Sequence, residues 1–327
     1  MKTSWRLWIT GIILAALAHG VVLADQEGGE RPAAYLELGV GGMQDAMGGA
    51  AVGDRNDVAC GFWNPAGLTG LRGLQVEDQY TLLALNQQLN YLAFANSFRD
   101  KFFYGFSWIY YSAGNDIEAR TGPSLNPDSI FSDTEMTFIG SIAIRFDPRW
   151  ALGLNIKVLN QSIGSFSSAV GFGEDLGLQY RVSRDTTLGF VIQDIYSSLT
   201  FNSSTSSSSS DPQQIIPTTF KVGIADHEEQ WNLKGTGDLD WSQDLGFEPH
   251  LGLEWRPLTA LALRGGVWAE NLTAGASGGA PLVYFTTGVA ILVPVGSDLI
   301  EVDYSMMEDR IDAGALINQI SVIGKFL

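Results

Sequence analysis

The chain carries few groups capable of covalent chemistry, and their spacing argues against each kind in turn. Gly275-Ala276-Ser277-Gly278-Gly279 spells G-x-S-x-G, which in hydrolases lifts a serine nucleophile out of a strand-to-helix turn. Here the pattern lies in a small-residue connection leading to Pro281, with no helix signal after it. There are three histidines: His19 belongs to the N-terminal leader, His227 stands beside Glu228 and Glu229 in a turn, and His250 is a wall position of a strand. None completes a Ser/His arrangement. Two separated histidines and the single Cys60 supply no closed zinc set, and Cys60 reads as a small buried apolar residue. Gly171-Phe172-Gly173-Glu174-Asp175 is glycine-rich, but its acids would repel a phosphate, and no Walker pattern occurs. The expectation is a protein that is not an enzyme and takes no cofactor or metal.

A second group of residues is chemically active in a different sense. Arg145, Lys157, Asp175, Arg181, Lys221, Lys234, Asp238, Asp240, Glu254, Arg264, Glu301 and Asp303 all fall on the polar side of alternating segments. Charges gathered on one side of a wall must be hydrated or paired. They would form a polar network holding an internal segment against the wall, or else line a substrate path.

The segments that carry them have a period close to two, the mark of strands with one apolar and one polar face. Trp150, Leu152, Leu154, Ile156 and Val158 alternate with Ala151, Gly153, Asn155 and Lys157, and Phe172 to Val182 repeats the pattern. Strands are expected near Leu74–Leu85, Asn90–Phe98, Phe102–Tyr111, Thr134–Phe146, Trp150–Ile163, Val170–Val182 and Thr187–Ile195. Seven more are expected near Thr218–Ala225, Trp231–Trp241, Pro249–Arg256, Ala260–Trp268, Tyr284–Val293, Asp298–Ser305 and Gln319–Phe326. That is about fourteen, an even number of segments near 9 to 11 residues, as membrane barrels require. Tight turns such as Arg99-Asp100 and Asp147-Pro148-Arg149 alternate with long polar connections at Ser112 to Asp133, Ser197 to Pro217 and Glu270 to Leu282. The serine tract from Ser203 to Ser210 reads as a loop tip. Trp108, Tyr110, Tyr111, Trp150, Trp231, Trp241, Trp255 and Trp268 fall near strand ends, where aromatic residues anchor a barrel at the membrane surface. Lumenal glycines would leave room for an inner segment and for strand curvature.

Residues 1–24 hold Lys2 and Arg6, an apolar run from Leu7 to Leu17, and Val22-Leu23-Ala24 as a small-residue cleavage site, an export signal. No later stretch is apolar enough for a spanning helix, which leaves a barrel as the membrane-spanning option. The 36 acids against 19 bases give a net charge of −17. Such a surface excludes nucleic acid as a partner and suits loops solvated outside a membrane.

The stretch from Ala46 to Gly70 precedes the first strand. Asn64 has the side chain to cap a helix, Pro65 suits its first position, and Gly70 can end it. Asp54 would cap a further turn whose Val58, Phe62 and Trp63 pack inward. Phe62-Trp63-Asn64-Pro65-Ala66-Gly67-Leu68, with Met47-Gly48-Gly49 and the Asp54/Asp57 pair, resembles the hatch of the FadL-type outer-membrane proteins, in particular their PorV/PorQ branch. The resemblance implies an all-β, up-and-down antiparallel transmembrane barrel of about fourteen strands (72–327) closed by an N-terminal plug (25–71). It also implies a place in the bacterial outer membrane among its lipids. The terminal Gly324-Lys325-Phe326-Leu327 is similar to the aromatic-ended signal read by outer-membrane assembly machinery. Two functions follow from the resemblance: passive uptake of a hydrophobic, fatty-acid-like small molecule, or a component or shuttle of type IX protein secretion that binds secretion proteins. Uptake calls for an apolar pocket by the plug, lined by residues such as Phe62, Trp63 and Met47. The lumenal network expected to matter most comprises Lys157, Asp175, Arg181, Glu254, Arg264, Glu301 and Asp303.

Overall fold

The computed structural model describes residues 31–114, 117–119, 126–165, 167–203, 213–270, 282–309 and 315–326. The leader, most of the serine tract and the Gly275 to Gly279 motif lie outside the described residues. Among the described residues fourteen strands form the ring: β1 Leu74–Leu82, β2 Gln88–Phe98, β3 Phe102–Ser112, β4 Asp133–Arg145, β5 Trp150–Ile163, β6 Ser167–Arg181, β7 Thr186–Ser203, β8 Thr219–Glu228, β9 Leu233–Ser242, β10 Gly246–Leu258, β11 Leu261–Glu270, β12 Leu282–Val295, β13 Asp298–Glu308 and β14 Leu316–Phe326. Each pairs antiparallel with its sequence neighbours, and β14 pairs with β1 from Leu74↔Phe326 to Leu82↔Asn318. The ring is closed. Closure removes the unpaired edges that an open sheet would expose to lipid.

Six connections of two to four residues lie at the end where β1 begins and β14 finishes; the other end holds the long connections together with the three-residue connections between β5 and β6 and between β9 and β10. This matches the alternation of tight turns and long loops expected of a barrel meander. Six strands exceed 11 residues, and the longest, β7, has 18 and continues to Ser203, beyond the Ile195 expected from sequence. The sequence signal stops at Ile195 because the alternation breaks there. Asp194 and Tyr196 take left-handed φ values of 58° and 52°, and the β6–β7 register slips between Phe172 and Leu176. Past this bulge β7 pairs on its far side with the short strand Gln213–Ile215 instead of β8.

The alternation is apolar-out. In β5, Trp150, Leu152 and Ile156 are exposed while Ala151, Gly153, Asn155 and Lys157 are buried, which places the apolar face toward lipid. Trp150 packs on Tyr180 near the short-turn end, and Trp241 lies between Phe220 and Phe247 near the other. Two of the eight expected anchors belong inside instead. Tyr111 stacks on Tyr35 of the N-terminal segment at 5.7 Å, and Trp268 stacks on the lumenal His250. Strand parity decides the difference: both occupy inward positions, and proximity to a strand end does not fix the face.

Residues 31–71 run inside the ring as short pieces: 3-10 turns at Ala34–Leu38 and Pro65–Gly70, and helices α1 Gly42–Ala46 and α2 Cys60–Trp63. They lie on the wall where it lacks side chains. Three glycine pairs stand opposite one another across neighbouring strands: Gly153↔Gly177 on β5 and β6, Gly189↔Gly223 on β7 and β8, and Gly252↔Gly266 on β10 and β11. Asn64 to Ala66 lies over the first pair, Val52 over the second, and Met47 with Gly48 over the third. A Cβ at Gly252 would stand 2.5 Å from the Met47 carbonyl oxygen, and one at Gly223 2.8 Å from Val52 Cβ. Room for an inner segment is therefore what these glycines supply. The lumen has two characters: apolar residues of β2 to β5 such as Leu89, Ile109, Ile139 and Leu159 pack with Val58, Phe62, Trp63 and Leu68, whereas β8 to β14 carry most of the charges.

Gly189→Leu should expel Val52 from its seat while leaving the lipid face intact, because overpacking acts only inside. The expected outcome is a barrel of normal heat-modifiability whose residues 31–71 become accessible to protease.

Candidate functional site: the lumenal plug and the cavity beside it

Asn64 begins the plug's last turn in extended geometry. Its side-chain oxygen accepts from the Ala66 N–H at 3.1 Å, with Pro65 at the first position of the Pro65–Gly70 turn, as the residue types require. The same side chain donates from Nδ2 to the Val52 carbonyl at 2.8 Å, tying the two halves of the plug together. Gly48 and Gly49 both have φ of +72°, a left-handed pair that turns the chain back after α1. A Cβ at Gly67 would meet the Asp54 carbonyl oxygen at 2.7 Å and Cys60 Cβ at 2.9 Å.

The expected Asp54 cap is not formed. Asp54 Oδ1 accepts from the next backbone N–H, of Arg55, and Oδ2 pairs with Lys234 of β9 at 2.6 Å. Asp57 makes the turn instead, accepting from the Ala59 N–H at 3.0 Å just ahead of α2. Its other oxygen lies 3.5 Å from Lys325 of β14. Phe62 and Trp63 are buried, meet edge to face at 5.3 Å, and Trp63 donates its indole N–H to the Val40 carbonyl at 2.8 Å.

The plug's open carbonyls and amides find partners on the wall. Asn155 donates to the Gly61 carbonyl at 2.8 Å, Gln179 to that of Asp54 at 2.6 Å, Gln193 to that of Phe62 at 3.1 Å and Thr286 to that of Ala46 at 2.9 Å. Asp238 accepts from the Val52 N–H at 2.7 Å, Gln79 from that of Gly41 at 2.6 Å, and His250 Nδ1 lies 2.7 Å from the Gly48 carbonyl oxygen. Irregular backbone buried in a lumen must be satisfied in this way. Reading the sequence for charges misses the neutral Gln79, Asn155, Gln179, Gln193 and Thr286, and places Lys325 only in the C-terminal signal. Their shared signal is an inward position on the same alternating strands.

Of the charges expected inside, most are paired. Lys157 lies between Asp175 at 2.8 Å and Asp194 at 2.9 Å, and Lys221 pairs with Asp240 at 2.7 Å. Arg264 is the hub of a wall cluster, with Glu254 at 2.7 Å, Glu301 at 2.6 Å and Asp303 in direct contact. Lys325 reaches Glu301 at 3.0 Å, and Arg256 reaches Glu254 at 2.8 Å. Arg264 spans β12 to reach β13, and the intervening strand offers only Gly288 and Ala290 at that level. Arg145 and Arg181 stand apart from this network. Arg145 donates to the Thr69 carbonyl and Arg181 to the Pro148 carbonyl at 2.7 Å, both near the short turns.

A cavity of about 140 Å³ opens between the plug and the long-loop end of the wall. Phe62, Trp63, Leu36, Trp268 and Met307 give it apolar surface, and Gly48 and Gly49 form part of its floor. Met47, expected to line such a pocket, instead packs on the wall glycines. The shelf at Trp268 is a ladder of parallel rings, with His250 at 5.8 Å and Tyr284 at 4.2 Å. Seven carboxyl groups line the cavity against three basic side chains, Arg31, Lys157 and Lys221. Each of those bases is already paired, Arg31 with Glu37 at 3.0 Å. Among the described residues no group of three or more potential ligands could hold a metal ion.

No protein-family model matches the chain, and no curated protein matches it by sequence. Solved structures do match its fold. The toluene transporter TodX of Pseudomonas putida superposes with a TM-score of 0.61 at 15% identity over 88% of this chain and 98% of that one. The CymD monoaromatic hydrocarbon channel gives 0.60 at 12% identity, covering 88% and 96%. A Pseudomonas aeruginosa FadL homologue gives 0.58 at 12% identity, covering 85% and 96%. The chain thus has the plugged fourteen-strand barrel fold of the FadL-type channels.

Cys60 reports on the plug. It is fully buried, and burial, followed by the nearby Asp54 and Asp57 charges, pushes its thiol well above the usual range. Asn64→Ala removes a cap and a bond to Val52, so the plug should open locally about tenfold more often, given a loss of about 1–2 kcal/mol. Maleimide labelling of Cys60 in the folded barrel should accelerate accordingly. Arg264→Gln leaves Glu254, Glu301 and Asp303 without their common partner and should cost about 3–5 kcal/mol, seen as a lower temperature for conversion to the unfolded band in gels.

Proposed function

We propose that the chain is an outer-membrane channel for passive uptake of an uncharged hydrophobic molecule about the size of one aromatic ring, closed at rest by its N-terminal plug. On this reading residues 1–24 are the export signal, 25–71 the hatch and 72–327 the barrel. The observation that carries it is the cavity of about 140 Å³ against Phe62, Trp63 and Trp268. By volume alone, about 150 Å³ is enough to hold a benzene ring. The solved structures with this fold include a monoaromatic hydrocarbon channel and a toluene transporter, which supports the same class of ligand.

The charge around the cavity narrows the ligand further. A fatty-acid carboxylate would enter a surround with an excess of acids, in which each lysine is already tied to a wall aspartate. Like charge in a partly desolvated site is repelled, so an uncharged ring fits better than the fatty-acid-like ligand implied by the family resemblance. A role in protein secretion draws no support from the named neighbours, which are channels.

Toluene should quench the tryptophan fluorescence of the purified barrel saturably, whereas benzoate should bind at least about tenfold more weakly at low ionic strength. Absence of toluene binding would refute uptake through this cavity. Equal binding of benzoate would leave uptake standing and overturn the charge argument.

A further inference from the structure

At the short-turn end of the lumen, opposite the cavity, the charge pattern reverses. In a chain of net charge −17, four arginines line one small cleft: Arg55 of the plug with Arg145, Arg149 and Arg181 of the wall. Asp147 is the single acid lining it, and its Oδ1 accepts from the backbone N–H of Arg149 at 2.9 Å. Asp54, next to Arg55, is engaged by Lys234 at 2.6 Å. Arg55, Arg145 and Arg181 form no ion pair among the described residues. Two of them use one guanidinium nitrogen on carbonyls, Arg145 on Thr69 and Arg181 on Pro148. The Nε of all three is buried and has no hydrogen-bond acceptor in the protein.

Buried donors without acceptors and unpaired like charges are both costly, and the costs add when they share a cleft. Elsewhere in the lumen the chain pairs its bases with acids: Lys157, Lys221, Lys234, Arg264 and Lys325 each have a carboxylate. The exception is local and spans the joint between plug and wall. From this arrangement we infer that the mouth of the cleft, whose interior volume is only about 10 Å³, binds an oxyanion of the phosphate class, held by Arg55 from the plug and Arg145 and Arg181 from the wall. Arginine forks suit such an anion by geometry as well as charge. Burial, then repulsion from Arg181 and Arg145, pushes Arg55 down to about 10, which still leaves it protonated at neutral pH.

An anion there clamps the plug to the wall at the end where the chain passes from Leu71 into β1. It therefore favours the closed state by mass action. Phosphate groups reach this face from two sources, a free anion in the adjoining aqueous space or the headgroup of an anionic lipid in the facing leaflet. The chemistry recognised is the same.

The test uses the full mature barrel and the Cys60 labelling rate, compared between phosphate and chloride at matched ionic strength. Phosphate should slow labelling at least about fivefold and saturate at millimolar concentration, and Arg55→Gln and Arg181→Gln should each bring the ratio of the two rates close to one. Reading the ratio within each variant removes any change in basal plug stability. Arg184→Gln, on a neighbouring exposed turn, should keep the full ratio. In nanodiscs free of phosphate, slowing by phosphatidylglycerol relative to phosphatidylcholine would assign the anion to a lipid headgroup. Slowing only on addition of phosphate would assign it to the free ion. Equal rates in phosphate and chloride with no effect of anionic lipid, or a phosphate effect that survives in both arginine variants, would overturn the inference.

Discussion

The structure depends on how closely an irregular stretch of backbone can approach the inner wall of a barrel. A ring of fourteen strands normally fills its lumen with side chains pointing inward, which hold any second layer of chain away from the wall. Three cross-strand glycine pairs remove that layer at three places. The plug then lies against the strands through Asn64 to Ala66, Val52 and Met47-Gly48. At such short range the plug's carbonyls come within reach of Asn155, Gln179, Gln193 and Thr286. Packing and hydrogen bonding are therefore one constraint: without the glycines the amides would have nothing to reach.

Electrostatics divides the work differently. The strongest cluster, around Arg264, joins wall to wall and crosses β12 over Gly288 and Ala290. Lys325 links this cluster, through Glu301, to Asp57 of the plug. The plug itself is tied by neutral hydrogen bonds, by hydrogen bonds to Asp238 and Arg145, and by the Asp54–Lys234 and Asp57–Lys325 pairs. A neutral hydrogen bond contributes about 0.5–1.5 kcal/mol net, and water can replace it. The wall's strongest contacts are therefore ionic, whereas many of the plug's are hydrogen bonds that water can replace.

This division explains what the sequence revealed. The alternation of β5 and β6 is uninterrupted, so their existence, period and polar face were legible, as was the cap at Asn64 with Pro65 behind it. The inward charges were legible as a set because each sits on an alternating strand. Their pairings were not, since Arg264 and Asp303 come together only after the register of three strands is fixed. The β7 bulge hid the strand's length because two left-handed residues break the period. The anchoring amides escaped notice for a plainer reason: glutamine and asparagine on a strand look solvated until a backbone is laid across them. The apolar lumenal half was missed because inward Leu89, Ile109 and Leu159 are unlike the hydrated interior of an open pore, and become intelligible only as the seat of Val58, Phe62 and Trp63.

The position of the cavity follows from the same geometry. It is flanked by the Ala34–Leu38 turn on one side and by Gly48 and Gly49 on the other. The glycine seats fix Met47, Gly48, Val52 and Asn64 to Ala66, whereas the Ala34–Leu38 turn rests on β3 and β4 through the Tyr35 ring on Tyr111 and its hydroxyl on Thr137. Displacing that turn would enlarge the cavity toward the long-loop end while every glycine seat stayed occupied. Opening the far end requires the opposite, release of Thr69 from Arg145 and of Asp54 from Lys234. The two ends of the lumen are therefore held by separable sets of contacts. The cavity and the short-turn end of the plug thus rest on different residues of the wall.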